Sequence, residues 1–111
     1  MPVDLNPLWG CELMAVDLDL LRQRVELRFR KGMDHNTQLF RLTCEEVSDF
    51  RYTIGAETSG SGPWSWAEAT AAEIVQLPDG RFRISFELWT ESSEITIEAA
   101  RASLELDQVV P

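Results

Sequence analysis

The residues of this chain best suited to nucleophilic chemistry are one histidine and two cysteines. A thiol becomes an effective nucleophile when a base such as an imidazole lies beside it. His35 lies in the polar stretch 31–37, whereas Cys44 belongs to an alternating apolar segment typical of a buried, inert thiol. Cys11 belongs to a similar segment. We therefore expect two reduced, buried cysteines, the alternatives being a disulfide or a Cys44–His35 dyad.

The spacings that bind metals and phosphates are not met. A zinc site needs about four closely spaced cysteine or histidine ligands. Asp17 and Asp19 do not complete the D-x-D-x-D-G pattern of a calcium loop. Gly60 and Gly62 lack the lysine and the following helix of a phosphate-binding loop. We therefore expect no catalytic residue, no metal and no cofactor, and we do not expect an enzyme.

Charge is the main clue to a partner. Nineteen acidic and ten basic side chains give the 111 residues a formal charge of −9. This excess disfavours nucleic acids and anionic membranes as ligands. It is what an inhibitor of a basic protein would carry, because complementary charge speeds encounter, although charge also serves solubility alone. The acidic candidates for binding a partner are Asp17, Asp19, Glu45, Glu46 and Asp49.

Arginines share one face of the segment 24–30. Arg24, Arg28 and Arg30 occupy positions of the same parity, and Arg81 and Arg83 form a similar stripe further along the chain. We expect these cations to pair across strands with acids such as Asp17, Asp19 or Glu87, the alternative being a functional basic patch.

Two tryptophans complete the candidate binding residues. Trp64 and Trp66 follow the Gly/Ser-rich segment 55–63, which we predict to be a flexible loop. On an extended backbone the two indoles share a face. Exposed, they would anchor a protein partner or a sugar ring; buried, they would close one end of the core.

The elements that must position these residues are strands, because the dominant pattern has a period of two. In the segment 24–30, Val25, Leu27 and Phe29 alternate with charged residues. Similar alternation marks the segments 14–20, 40–44, 50–54, 81–89 and 95–106.

Segment 65–75 is ambiguous. We predict a strand over 71–77 that forms a hairpin with 81–89 around the turn-forming Pro78 and Gly80, preceded by a helical turn near 65–68. A helix over 65–75 is the alternative. In the last strand the apolar residues change from odd-numbered to even-numbered positions between 99 and 102. One extra residue in a strand has this effect, so the change predicts a β-bulge.

These elements predict an all-β fold, an antiparallel β-sandwich or a partly open barrel of about seven strands with at most one short helical turn. Leu, Ile, Val and Phe account for 30 of 111 residues, enough for a globular core. We expect one domain over 1–111 with a frayed tail at 107–111.

We predict a cytoplasmic protein. The longest stretch without a charged residue, 58–67, is half the length of a spanning helix, which needs about 20 residues. The first residues have no basic region of the kind that begins a signal peptide.

The order of patterned segments resembles a group of small bacterial β-rich proteins of unassigned activity, some of which are grouped with the immunity proteins of polymorphic toxin systems. The segments that carry the resemblance lie between Leu8 and Leu106, and they read ELMAVDLDL, RVELRFR, LFRLTCEEVSDFRYTI, PWSWAE, DGRFRISFELW and EITIEAARASLEL. The resemblance implies a cytoplasmic protein without a cofactor that binds another protein, such as a basic toxin. Carbohydrate binding through Trp64 and Trp66, and a homodimer formed through a sheet edge, remain the alternative functions.

Overall fold

Six strands form one antiparallel sheet in the computed structural model, which describes residues 3–32, 37–53, 69–88 and 93–110. The strand order is β1-β2-β3-β6-β5-β4, so two three-stranded meanders join where β3 pairs with β6. The all-β antiparallel prediction is confirmed. In chain order the elements are the 3-10 turn η1 (Asn6–Leu8), β1 (Glu12–Asp19), β2 (Arg24–Lys31), β3 (Thr37–Thr53), β4 (Ala69–Gln76), β5 (Phe82–Leu88) and β6 (Glu94–Val110).

The described residues contain six strands where about seven were predicted, because segments 40–44 and 50–54 belong to one strand. β3 runs for 17 residues and continues through Glu45 and Glu46, where an interruption was expected. β6 is equally long, and the two strands pair along nearly their whole length. β2 pairs with the first part of β3, and β5 pairs with the first part of β6.

The sheet is folded onto itself. The rings of Phe29 on β2 and Phe86 on β5 lie 5.3 Å apart between centroids, although β3 and β6 separate these strands in the sheet. Phe29 pairs with Phe40 on β3, and Phe86 is linked through Ile95 to Tyr52 on the same strand. The twelve residue steps from Phe40 to Tyr52 would span roughly 40 Å of straight strand. The sheet must therefore bend, and its two halves face each other as the layers of a sandwich.

The bend lies in the middle of β3. The pairing with β6 shifts between Val47 and Asp49, so that Ser48 is an extra residue. Glu46 has a left-handed φ of 52°. The N–H of Val47 donates to the carbonyl of Gln23 in the turn between β1 and β2, at 2.8 Å. Strands pass from one layer to another at such bulges, since the extra residue bends and twists the strand.

The set of β6 side chains that points toward the core changes beside this bend. Its buried residues are odd-numbered up to Ala99, and from Ala102 its even-numbered residues point toward the core. The change of phase predicted between positions 99 and 102 is therefore present. The predicted β-bulge is absent from this part of β6, because its pairing with β3 runs without a shift from Ala99 to Ala102. The nearest shift lies in β3 at Ser48, opposite Ala99 and Glu98.

The core fills the space between the layers. We name the first layer as β1, β2, the start of β3 and the end of β6, and the second layer as β4, β5, the start of β6 and the end of β3. The buried side chains from the strands of both layers, and from the segment before β1, are those of Leu5, Leu8, Cys11, Val25, Leu27, Phe29, Leu42, Cys44, Ala69, Ala72, Ile84, Phe86, Leu88, Ile95, Ile97 and Ala99.

A single bridge joins the segment before β1 to the start of β4. The N–H of Gly10 donates to the carbonyl of Ala69 at 2.8 Å, and the N–H of Ala69 donates to the carbonyl of Cys11 at 2.7 Å. Gly10 and Cys11 are thus both opposite Ala69, which is the arrangement of a β-bulge. Gly10 has a φ of 81°, as the first residue of a glycine-type bulge does. β1 and β4 remain the two ends of the sheet order, so the sheet is not closed into a barrel.

Three local predictions have distinct outcomes. The hairpin of 71–77 with 81–89 is confirmed by β4 and β5, so a helix over the described part of 65–75 is wrong. Residues 108–110, which belong to the segment expected to be frayed, pair with Leu39, Gln38 and Thr37 of β3. The loop 55–63 and the helical turn at 65–68 lie outside the described residues. Within those residues, no helix has the length and apolar character needed to cross a membrane.

Candidate functional site

Both cysteines lie in the core as free thiols, as predicted. Burial raises the pKa of Cys44 to about 12, since a thiolate is poorly solvated there. Burial also raises the pKa of Cys11, against the opposing charge of Lys31. The Cys11 thiol donates to the carbonyl of Pro7 at 3.2 Å. Both groups are therefore protonated at neutral pH, and His35 lies outside the described residues.

No metal centre is assembled in the part of the chain that the structure describes. There, no three histidine, cysteine, aspartate or glutamate side chains are grouped closely enough to hold an ion.

The five acidic candidates are divided among three places. Asp17 and Asp19 lie on the outer face of β1, at the edge of the first layer. The Asp17 carboxylate lies 3.8 Å from the guanidinium of Arg28. Asp19 lies 3.8 Å from the guanidinium of Arg22 and accepts a hydrogen bond from its backbone N–H. Both acids precede the turn between β1 and β2, which carries Leu20 and Leu21.

Glu45 and Glu46 lie at the bend. The guanidinium of Arg101 lies 3.6 Å from the Glu45 carboxylate and also bonds the Glu46 carboxylate. Arg81 donates to the backbone carbonyl of Glu46 and, at 3.1 Å, to the hydroxyl of Ser48. The two acids therefore contribute to the structure of the bend, where β3 passes between the layers.

Asp49 lies on the outer face of the second layer. It is directly opposite Glu98 on β6, so two carboxylates are neighbours across the strands. Two arginines offset this repulsion: Arg51 lies 3.1 Å from Asp49, and Arg83 lies 3.3 Å from Glu98. Trp64 and Trp66, the remaining candidates, lie outside the described residues.

Sequence reasoning missed three further acids on that outer face. Glu87 on β5 is directly opposite Glu94 on β6, a second pair of like charges. Glu73 lies on β4 opposite Ser85, on the same face. Among the described residues, no cation forms an ion pair with Glu73 or Glu94. Alternation shows that each of these acids points outward, but their proximity depends on the sheet order.

We call this surface the acidic face. Counting only residues that the structure describes, it bears five carboxylates against the two guanidinium groups of Arg51 and Arg83, and its acids are Asp49, Glu73, Glu87, Glu94 and Glu98.

The outer face of the first layer is nearly balanced in charge. Arg28 lies directly opposite Arg41, but Arg41 is 3.2 Å from Glu105 and Arg28 is 3.3 Å from Glu26. Arg30 lies 3.0 Å from Glu12 on the neighbouring strand. The predicted pairing across strands is confirmed for Arg28 with Asp17, and it is also present for Arg30 with Glu12 and for Arg83 with Glu98. Arg24 instead pairs with Glu26 on its own strand, and Arg81 donates to the Glu46 carbonyl and the Ser48 hydroxyl.

The hairpin of β1 and β2 exposes apolar side chains. The exposed fraction is 52% for Met14, 51% for Leu18, 84% for Leu20 and 98% for Leu21. They are half of the eight large hydrophobic residues that are exposed in the described chain, and they lie within eight consecutive positions. Such a concentration is typical of an interaction surface rather than of scattered surface residues.

Comparisons of the chain with protein-family models, with curated proteins and with solved structures found no match.

Proposed function

We propose that this protein is a non-enzymatic binding module for a basic protein, acting as an immunity-type inhibitor, and that the acidic face is its docking surface. The partner would be a toxin or another protein with a cationic surface. The resemblance in sequence pattern to proteins grouped with immunity proteins supports this proposal. The proposal includes a cytoplasmic location.

The observation that carries the proposal is the pair of acid–acid contacts across strands on the acidic face. Asp49 faces Glu98, and Glu87 faces Glu94. Like charges in directly opposite positions destabilise a sheet. Sequences depart from such local rules mainly where function requires it. A basic partner would bring further cations to this face, beyond the guanidinium groups of Arg51 and Arg83.

The distribution of arginines supports the same surface. Arg24, Arg28, Arg30 and Arg41 lie on the first layer, where nearby acids neutralise them. The overall charge of −9 is therefore not spread evenly, and the second layer contributes a patch in which carboxylates outnumber guanidinium groups. Such a patch accelerates encounter with a cationic protein and makes the association rate fall as salt rises.

The test is affinity capture with the purified chain as bait, followed by measurement of the association rate of the captured protein at several salt concentrations. Glu73→Lys/Glu94→Lys reverses two charges on the acidic face. Glu45→Lys/Glu105→Lys makes the same change in net charge on the first layer and is the matched control.

We expect a captured protein of high isoelectric point, whose association slows about tenfold or more with the acidic-face variant and much less with the control. An acidic or neutral partner would contradict the proposal. Equal slowing by both double variants would indicate a general effect of net charge and would also contradict it.

A further inference from the structure

We infer that the free edge of β1 is a second docking surface, which pairs with an extended segment of a partner that alternates apolar and basic residues. This inference does not depend on the acidic face, since β1 lies at the opposite end of the sheet order from β4, in the other layer.

β1 presents an unpaired edge within the described residues. It pairs with β2 on one side and is the last strand of the sheet on the other. Its register is regular over residues 15–19, beyond the shift at Met14. In an antiparallel pair every second residue directs its N–H and C=O away from the partner strand. These groups are available to an added strand, the mode of binding called β-augmentation.

The edge lacks two common protections against pairing. Natural sheets guard their edges with lysine, proline and bulges. The eight residues of β1 contain no lysine and no proline, and the one bulge, at Met14, lies before the regular stretch. Met14 and Leu18 are about half exposed beside the edge, and Leu20 and Leu21 extend the apolar surface beyond its end. An added strand could therefore contact apolar side chains at Met14 and Leu18 and, past the end of β1, at Leu20 and Leu21.

The charge of β1 indicates which kind of segment would bind at this edge. β1 carries Glu12, Asp17 and Asp19 and no basic residue. Antiparallel pairing with β1 of a second copy would bring six carboxylates to one junction and set Glu12 near Asp19 of the other copy. Such repulsion disfavours a homodimer through this edge. A segment with lysine or arginine on the same face as these carboxylates would instead be attracted.

The experiment uses three capped seven-residue peptides as probes. The first alternates lysine and valine, the second alternates glutamate and valine, and the third is the first with a methyl group on every backbone nitrogen, so that neither of its edges can donate. Amide chemical shifts and hydrogen exchange of the full chain report where each peptide binds. Asp17→Lys/Asp19→Lys is the reversing variant, with its fold checked by circular dichroism.

We expect the lysine–valine peptide to shift the amide resonances of residues 15–19 and to slow their exchange about tenfold. The glutamate–valine and N-methylated peptides leave the resonances and the exchange of these residues unchanged. With the reversing variant, the glutamate–valine peptide binds and the lysine–valine peptide does not. Absence of a shift at about 1 mM peptide, or equal binding of the N-methylated peptide, overturns the inference. Shifts confined to the acidic face would overturn it while supporting the proposed function.

Discussion

The ring of Phe29 lies against the ring of Phe86, with centroids 5.3 Å apart and planes at 44°. The two residues belong to strands that are separated by two others in the sheet, so their contact exists only because β3 and β6 bend. This contact joins the layers at the centre of the core, and both side chains are almost completely buried.

Removing either ring should destabilise the fold strongly. We expect Phe86→Ala to lower the free energy of unfolding by about 3–5 kcal/mol, because the cavity adds to the lost burial. Milder Phe29→Leu and Phe86→Leu variants permit a double-mutant cycle, in which the rings should show a coupling of about 0.5–1.5 kcal/mol. Urea unfolding measures these values. Val75→Ala, on the outer face of β4, is the control and should cost less than about 1 kcal/mol.

Gly10 should resist substitution because of its backbone. Its φ of 81° is easily reached only by glycine, and its N–H makes the bridge to Ala69. We expect Gly10→Ala to cost about 1–2 kcal/mol of unfolding free energy. Gly10→Asn should cost less, since asparagine tolerates the left-handed region. Thermal unfolding compares the two variants, and equal losses would show that the backbone angle is not the cause.

Burial of Cys44 should make stability fall at high pH. Its pKa is about 12 in the folded protein, above the value near 8.5 of an exposed thiol. Between these values the unfolded chain loses a proton that the folded chain keeps. The stabilising effect is therefore complete below about pH 8.5 and is lost as pH rises toward 12, with a slope approaching about 1.4 kcal/mol per pH unit. Unfolding of the wild type and of Cys44→Ala across this range measures it, and identical slopes would contradict the assignment.

Arg81 should matter more than other surface arginines. It donates to the Glu46 carbonyl and to Ser48, and so connects the turn before β5 to the bend in β3. We expect Arg81→Ala to cost about 1 kcal/mol or more, because a backbone carbonyl at the bend loses its partner. Arg22→Ala removes only an exposed ion pair with Asp19 and should cost less than about 0.5 kcal/mol. Chemical denaturation distinguishes the two, and equal costs would show that Arg81 has no special role.

The position of the candidate site could be predicted only in part. Alternation shows that Asp49, Glu87 and Glu94 point outward, because strands place successive side chains on opposite faces. It does not show that Glu87 faces Glu94 or that Asp49 faces Glu98, since these relations depend on which strands pair and in what register. The acids grouped by sequence position are separated in space, with Glu45 and Glu46 at the bend and Asp17 at an edge.

By itself the sequence determined the secondary structure of most segments and the inward side of each strand, because these follow from local alternation of apolar and charged residues. It also determined that Cys11 and Cys44 would be buried. Only the tertiary structure decided that Glu45 and Glu46 bend one long strand instead of separating two, and that a single sheet supplies both layers. The reason is that a bend and a strand pairing are relations between residues distant in sequence, and a local pattern contains no information about them. They are set by tertiary packing, such as that of the Phe29 ring against the Phe86 ring.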